Sequence, residues 1–322
     1  MRSFLSMSTA ALTAGLLFAI LPPACRASAP RSHKSSAKDS ESSIPFRDVH
    51  HEIVVTFALN GHKGLNFLID TGFGMTLLDT SAAAAAHVKT VPVHLYLHSP
   101  AGTFSVTQLA HRVRIDGYGL EFHNDILVGD LEPFYKPFGI PLAGIIGSDF
   151  LGQFPFLLDY AAKTMTVFSP EKSNVPLKNG IEVPLELFLP GKGDGPAVWL
   201  DAELPDGQKV KAALTVDTGS TAGVILNAPF VERYSLKPDD KVRPPIARGY
   251  GGKIDLVPGQ LPALMIGSLR VSDFDTLFAR QPAGSPGSGD TDGEIGYGIL
   301  SRFRIYMDAP HQRVVFDPVS ER

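Results

Sequence analysis

The chain has 322 residues, which at about 150 residues per domain corresponds to roughly two domains, each able to bury a core without disulfide bonds or metals. Its 29 basic and 33 acidic residues leave a net charge of −4, too balanced for a nucleic-acid-binding protein. An apolar fraction of 44%, with 31 glycines and 26 prolines, is typical of a turn-rich, strand-rich globular chain, and the single cysteine, Cys25, excludes an intramolecular disulfide bond and a multi-cysteine metal site.

The first 29 residues have the pattern of a secretory signal peptide. A positively charged start precedes residues 5–21, which are apolar or small, and Ala27-Ser28-Ala29 forms an A-x-A cleavage signal. Because Pro30 directly follows that site, cleavage near Ala24 and retention of the segment as an anchor are alternatives. The pattern predicts an exported protein, periplasmic or secreted, that contacts a membrane only if this segment is retained.

Residues 30–45 are predicted to form a disordered tether, since the stretch as far as Ser43 is rich in serine and lysine and almost free of apolar groups. The pattern then becomes β-rich. An apolar, β-branched run at 53–59 is followed by the hairpin signal Asn60-Gly61 and by a second strand that ends at Ile69.

Short strands separated by proline and glycine are predicted from there to the C-terminus. Helices are predicted only at residues 80–87, with their alanine run, and at 228–234, which Pro229 opens. Residues 281–293 are nearly all Gly, Ser, Pro and Asp and are predicted to form an exposed loop.

Three features of the first half recur in the second at nearly the same interval. An apolar strand ends in Asp-Thr-Gly at residues 67–72 and again at 214–219, with the two aspartates 147 residues apart. The segment GIIG at 144–147 is matched by GEIG at 293–296, and an Asp-containing strand pair follows each. The repetition predicts two lobes of common ancestry, at residues 46–169 and 174–318.

The repeated motifs resemble those of the aspartic protease family, which includes the pepsin-like and retroviral enzymes. The resemblance extends over residues 53–318 and depends on Asp-Thr-Gly in each lobe together with the later apolar-Gly pairs Ile146-Gly147 and Ile295-Gly296. Among members of the family, this sequence most resembles bacterial secreted proteins whose lobes look like retroviral protease subunits fused in tandem. The resemblance implies an all-β, bilobal pepsin-like fold of two β-barrel-like lobes with short helices and a cleft between them.

Peptide hydrolysis explains why Asp-Thr-Gly occurs twice. A water that attacks a peptide carbonyl needs a base to remove its proton, and the carbonyl oxygen needs an acid. Two adjacent carboxyl groups that share one proton supply both, as the aspartic-protease dyad illustrates. Asp70 and Asp217 are therefore the candidate catalytic residues of an aspartic endopeptidase that acts on polypeptides without a metal, a cofactor or a covalent intermediate.

The residues that follow the two aspartates are predicted to hold the dyad in place. In the family, the threonines corresponding to Thr71 and Thr218 turn inward and bond to the backbone of the opposite loop. Gly72 and Gly219 allow a close approach of the backbone that a Cβ would prevent. The apolar-Gly segments cross these loops in the family and bury them.

The two lobes differ directly after the glycine. In the second lobe Ser220 and Thr221 follow the glycine, and either hydroxyl is able to donate to the outer oxygen of Asp217, whereas Phe73 cannot do so for Asp70. Retroviral enzymes carry alanine at the position of Phe73 and remain active, so activity is still expected. The loss of this donor predicts a dyad that titrates higher than that of pepsin. Phe73 is expected either to line the cleft or to pack in the core.

Each lobe offers a candidate for the β-hairpin flap that gates the cleft in this family. The first turns through residues 99–102 and carries Tyr96, and the second turns through residues 248–252 and carries Tyr250. Neither tyrosine lies in a clear pepsin-like motif. His94 and His98 lack the H-E-x-x-H pattern of a zinc site.

Two other functional classes were compared with proteolysis. No G-x-S-x-G nucleophile motif surrounds any serine. A non-catalytic protein that binds a peptide or a glycan in the same bilobal cleft remains the alternative function, because a fold does not by itself establish activity.

Overall fold

The computed structural model describes residues 41–99, 102–136, 139–171, 175, 177–187, 195–239, 241–242, 247–249, 252–280 and 291–319. The predicted signal peptide, residues 30–40 of the predicted tether, and Tyr250 lie outside these ranges.

The described part of the chain is mostly β-strand with a few short helices. The elements of the first half are β1 (Glu41–Pro45), β2 (Arg47–Val49), β3 (Glu52–Leu59), β4 (His62–Ile69), β5 (Leu77–Asp79), α1 (Thr80–Ala85), β6 (Thr90–Ser99), β7 (Gly102–Gly117), β8 (Leu120–Gly129), α2 (Glu132–Tyr135), β9 (Gly144–Ile146), α3 (Ser148–Leu151), β10 (Phe156–Asp159) and β11 (Thr164–Phe168).

The elements of the second half are β12 (Ile181–Leu187), β13 (Pro196–Glu203), β14 (Lys209–Val216), β15 (Val224–Leu226), α4 (Ala228–Arg233), β16 (Ala247–Gly249), β17 (Gly252–Ile254), β18 (Leu256–Gly259), β19 (Ala263–Ile266), β20 (Leu269–Val271), β21 (Thr276–Ala279), β22 (Gly293–Ile295), α5 (Tyr297–Leu300), β23 (Phe303–Asp308), a 3-10 helix (Ala309–His311) and β24 (Arg313–Pro318).

The strands of the two halves meet in a shared sheet. Eight strands of the first half form a sheet in the order β2-β3-β4-β9-β5-β8-β7-β6, with β3 also pairing to β7. The larger sheet runs β1-β11-β10-β23-β24-β12-β13-β14-β22-β15-β21-β18, with β19 and β20 added at β13. Its strand β10 comes from the first half and pairs antiparallel to β23 of the second, with Phe156 opposite Met307. This pairing joins the two halves of the chain in one sheet.

The end of the predicted tether is an ordered strand, which corrects the prediction of disorder up to residue 45. Strand β1 pairs antiparallel to β11 over all of its five residues. Ile44 is fully buried in the main core. A serine-rich segment is ordered here because β11 supplies backbone partners and the core accepts its single large apolar side chain.

The predicted helices and the predicted second loop also differ in their bounds. Helix α1 begins after Asp79, whose carboxylate accepts the N–H of Ser81 at 2.9 Å, and it ends at Ala85, before the positive φ of His87. Helix α4 ends at Arg233. The predicted exposed loop is buried at its end, where Asp292 accepts the N–H of Ala213 at 3.0 Å; residues 281–290 lie outside the described ranges.

The core follows from the strand pattern. Seven of the eight residues of β3 are buried, so the strand has protein on both faces, and the ends of β4 and β14 are buried as well. Each of these two apolar strands therefore delivers its Asp-Thr-Gly turn to the interior of the molecule. No helix in the described ranges has both the length and the apolar character needed to cross a membrane.

Candidate active site

Each candidate aspartate follows a strand that pairs in parallel with an apolar-Gly segment. In the first half, Ile69 of β4 is opposite Ile146 of β9, and the N–H of Asp70 donates to the Ile146 carbonyl at 3.1 Å. In the second half, β14 pairs with β22 in the same way, and the N–H of Asp217 donates to the Ile295 carbonyl at 3.0 Å. The two halves thus build the same loop geometry from the repeated motifs.

The threonines of the two loops interlock. The N–H of Thr71 donates to Oγ1 of Thr218, and the N–H of Thr218 donates to Oγ1 of Thr71, both at 3.0 Å. The Thr71 hydroxyl donates to the Val216 carbonyl at 2.6 Å, and the Thr218 hydroxyl donates to the Ile69 carbonyl at 3.0 Å. Both side chains are buried. These four bonds cross between the halves and hold the two Asp-Thr-Gly turns against each other.

The glycines allow each carboxyl group to lie on the opposite loop. A Cβ added at Gly72 would overlap the carboxyl group of Asp217, and one added at Gly219 would overlap that of Asp70. The carboxyl groups of Asp70 and Asp217 hydrogen-bond to each other. Asp70 and Asp217 are only partly buried, so solvent reaches the carboxyl pair.

The residues after the apolar-Gly segments close the loops from one side. The N–H of Ser148 donates to the Phe73 carbonyl and the N–H of Tyr297 donates to the Ser220 carbonyl, both at 2.8 Å. The Ser148 hydroxyl also donates to the Thr71 carbonyl. The crossing segments therefore fix the backbone of both loops.

The environment shifts the dyad carboxyl groups to different extents. Burial and then the neighbouring charge of Asp217 raise the pKa of Asp70 well above its usual range. Burial also raises the pKa of Asp217, but the backbone N–H groups of Gly219 and Gly72 and the hydrogen bond from Asp70 oppose the rise. The N–H of Gly219 reaches Oδ1 of Asp217 at 2.7 Å. The two carboxyl groups titrate as a pair, and the backbone donors favour the ionised form of Asp217.

Phe73 and Ser220 have roles that the sequence only partly predicts. Phe73 is partly buried and packs against the smaller core cluster, while its N–H donates to Oδ1 of Asp70 at 2.9 Å. The hydroxyl of Ser220 acts on the carboxyl group of Glu294 and lowers its pKa. The predicted bond from Ser220 to Asp217 stays a prediction.

The described backbone contains the strand pairs on either side of both predicted turns, while residues 100–101 and 250–251 lie outside the described ranges. Strands β6 and β7 pair antiparallel with Tyr96 opposite Ser105, and β16 pairs with β17. The Tyr96 side chain is 72% exposed. Tyr250 lies outside the described residues, so the choice of a flap tyrosine stays a prediction.

Two glutamates beside the dyad are absent from the sequence-based prediction. Glu52, the first residue of β3, is buried, and its pKa is raised by burial and then by the charges of Asp70 and Asp217. Glu294 of β22 is partly buried, and burial and then the charge of Asp217 raise its pKa to about 8. A signal for Glu294 was available, because GEIG places a carboxyl group where GIIG has an isoleucine.

Aromatic side chains surround the glutamate side of this site. Tyr297 stacks on His51 with ring centroids 4.1 Å apart and meets Tyr160 edge-on at 5.4 Å. Oη of Tyr160 and Oε2 of Glu52 are buried and have no hydrogen-bond partner among the described residues. Within the described ranges, no group of three or more His, Cys, Asp or Glu side chains is arranged to hold a metal ion.

The fold and the paired turns resemble those of the aspartic proteinases. A family model described as aspartyl protease matches residues 201–301. The solved structure of the aspartic proteinase from Irpex lacteus is similar to this chain with a TM-score of 0.50 and 12% sequence identity, covering 87% of this chain and 98% of that one. A search of curated proteins gives no match.

These findings confirm the resemblance to the aspartic protease family and the predicted all-β, pepsin-like fold. They support a proteolytic, hydrolase function in general terms, and such a family implies polypeptide substrates.

Proposed function

We propose that this protein is an aspartic endopeptidase in which Asp70 and Asp217 activate a water molecule for attack on a peptide bond. The observation that carries the proposal is the close approach of the two Asp-Thr-Gly turns, in which the carboxyl group of each aspartate lies against the glycine of the opposite turn. Two carboxyl groups in contact cannot both ionise readily, so the pair retains one proton over a wide range of pH. That shared proton provides a base and an acid at one point.

The catalytic cycle assigns the base to Asp217 and the acid to Asp70. Asp217 removes a proton from water as the water oxygen bonds to the peptide carbon, and Asp70 gives its proton to the carbonyl oxygen. When the tetrahedral intermediate collapses, the C–N bond breaks, the nitrogen takes the proton held by Asp217, and Asp70 regains its proton. Water is consumed, and one carboxyl and one amino terminus are formed. The backbone donors on Asp217 support this assignment.

The supporting residues keep the two carboxyl groups in this arrangement. The Thr71–Thr218 interlock fixes the two turns, and Gly72 and Gly219 leave room for the carboxyl groups. A site prepared in this way needs little reorganisation during the reaction.

The experiment is the incubation of the purified protein with a diverse peptide library across a range of pH. Cleavage is expected for the wild type and is expected to be lost in both Asp70→Asn and Asp217→Asn and with a pepstatin-like inhibitor. Asp206→Asn is the matched control, because Asp206 lies in the exposed turn before β14, at the opposite end of that strand from Asp217. The control is expected to cleave like the wild type.

The alternative of a non-catalytic binding protein predicts a different result. Peptides would then bind at every pH without cleavage, and Asp70→Asn would change affinity alone. Cleavage that survives in Asp70→Asn or Asp217→Asn would also refute the proposed dyad.

Export is part of the proposal. Residues 1–29 are proposed to direct the chain to the periplasm or the medium. Fractionation of cells that produce the full chain, with N-terminal sequencing of the product, is expected to find the exported protein beginning after Ala29 or near Ala24. A product that stays in the cytoplasm with its first residues intact would contradict this.

A further inference from the structure

Glu294 occupies a position in β22 that points away from the core. Its neighbour Ile295 is fully buried, and alternation along a strand places Glu294 on the opposite face. The parallel register sets Glu294 beside Thr215, two residues before Asp217. Its carboxyl group hydrogen-bonds to that of Asp217.

The equivalent position in the first half has a different residue. Ile145 of β9 lies beside Leu68, two residues before Asp70, in the same parallel register. It is buried among apolar side chains, including Leu68 and Leu77. The duplicated halves therefore match in backbone geometry, but this strand position carries a carboxyl group in the second half and an isoleucine in the first.

The three carboxyl groups form a chain with Asp217 in the middle. Asp70 and Glu294 each hydrogen-bond to Asp217, and both contacts lower the pKa of Asp217. Three carboxyl groups in one partly buried cluster cannot all ionise, so the cluster retains protons, and the anion is the group with the best donors outside the cluster. The N–H of Gly219 donates to Oδ1 of Asp217 at 2.7 Å, and the register of β14 and β22 puts Glu294 on the same face as Asp217, so Glu294 holds its proton and Asp217 is the anion. The Ser220 hydroxyl also acts on Glu294, and Glu52 is the other glutamate near the dyad, with its pKa raised by burial and then by the charges of Asp70 and Asp217.

We propose that Glu294 is a positioning residue that keeps its own proton and donates a hydrogen bond to Asp217, thereby holding Asp217 as the ionised base of the dyad. This inference rests on the proposed peptidase function. Glu294 transfers no proton during the cycle; it contributes a fixed donor, so that Asp217 stays ionised at a lower pH than it would with Asp70 alone. The amide of glutamine can donate the same bond, and isoleucine cannot.

The test compares Glu294→Gln with Glu294→Ile, which copies the residue of the first half. The readout is the acid side of the pH profile of kcat/KM, where the base of the free enzyme becomes protonated. Glu294→Ile is expected to move this limb up by about one pH unit or more, since the loss of a charge-assisted donor has about that size. Glu294→Gln is expected to keep the limb of the wild type. Circular dichroism and thermal melting check that both variants are folded.

A second measurement is independent of activity. Carbon-13 NMR titration of side-chain carboxyl groups is expected to show Glu294 titrating well above an ordinary glutamate in the wild type and lower in Asp217→Asn, because the anionic acceptor is then absent.

The outcomes separate this inference from the proposed function. Suppose that the wild type cleaves peptides and Asp217→Asn does not. If Glu294→Ile then leaves the acid limb unchanged, or if Glu294→Gln moves the limb as far as Glu294→Ile does, Glu294 is not the donor, although the peptidase proposal stands. If no cleavage occurs, the peptidase proposal fails. In that case, an ordinary pKa for Glu294 in the wild type would refute its hydrogen bond to Asp217. A raised pKa that becomes lower in Asp217→Asn would support the hydrogen bond but give it no catalytic role.

Discussion

The interlock between the two halves gives a prediction that needs no enzymatic activity. Thr218 is buried, and its hydroxyl accepts the N–H of Thr71 and donates to the Ile69 carbonyl, both at 3.0 Å. Thr218→Val replaces this hydroxyl with a methyl group of similar shape. No cavity forms, but one buried N–H loses its acceptor and one buried carbonyl loses a donor.

The magnitude follows from these two groups. A buried donor or acceptor left without a partner costs about 1–3 kcal/mol, and an N–H is the more costly because it has no second bond to make. Thr218→Val is therefore expected to lower the free energy of unfolding by about 3 kcal/mol. Thr218→Ser keeps the hydroxyl and loses one methyl group, so its expected cost is about 1 kcal/mol.

Urea unfolding monitored by tryptophan fluorescence and by circular dichroism measures both variants against the wild type. The slope with urea is expected to be unchanged, so the difference shows in the midpoint. If Thr218→Val were as stable as Thr218→Ser within about 0.5 kcal/mol, the interlock would not contribute to stability as reasoned here.

Three further predictions concern the groups around the dyad. The pKa of Glu294 is raised to about 8 from its ordinary 4.5, so the unfolded chain ionises first and wild-type stability falls between these pH values by up to about 5 kcal/mol at about 1.4 kcal/mol per unit. The melting temperature of Glu294→Gln relative to the wild type is therefore expected to rise by up to about 10 °C across this pH range. A difference in melting temperature that does not change with pH would contradict the raised pKa. The pKa of Glu52 is also raised, by burial first. Glu52→Gln is therefore expected to become more stable relative to the wild type as the pH rises above the pKa of an ordinary glutamate. A difference in urea midpoint between the two proteins that is the same at acid and at neutral pH would contradict this. Gly219→Ala places a Cβ on the Asp70 carboxyl group and is expected to destabilise the fold and to abolish cleavage of peptides, so an active, equally stable variant would refute the close approach.

Much of the fold could be predicted from local patterns. Apolar, β-branched runs and turn signals such as Asn60-Gly61 predicted the strands, and the run before Asp70 is indeed strand β4. The tether was wrong at Glu41–Pro45, because its order comes from pairing with β11 rather than from its own composition. A segment with little apolar content carries no local sign of a partner strand more than a hundred residues away.

The sequence by itself determined the repeated Asp-Thr-Gly turns, the apolar-Gly segments and the strand-rich class, since these depend on residue type and on periodicity along the chain. Only the tertiary structure decided which atoms of the opposite loop Thr71 and Thr218 bond, that Glu294 joins Asp217 and that Glu52 lies near the dyad. Such contacts connect residues that are far apart in the chain, and strand register and packing of the whole fold set their distances. Hydrogen bonds and pKa shifts depend on those distances, which no local pattern encodes.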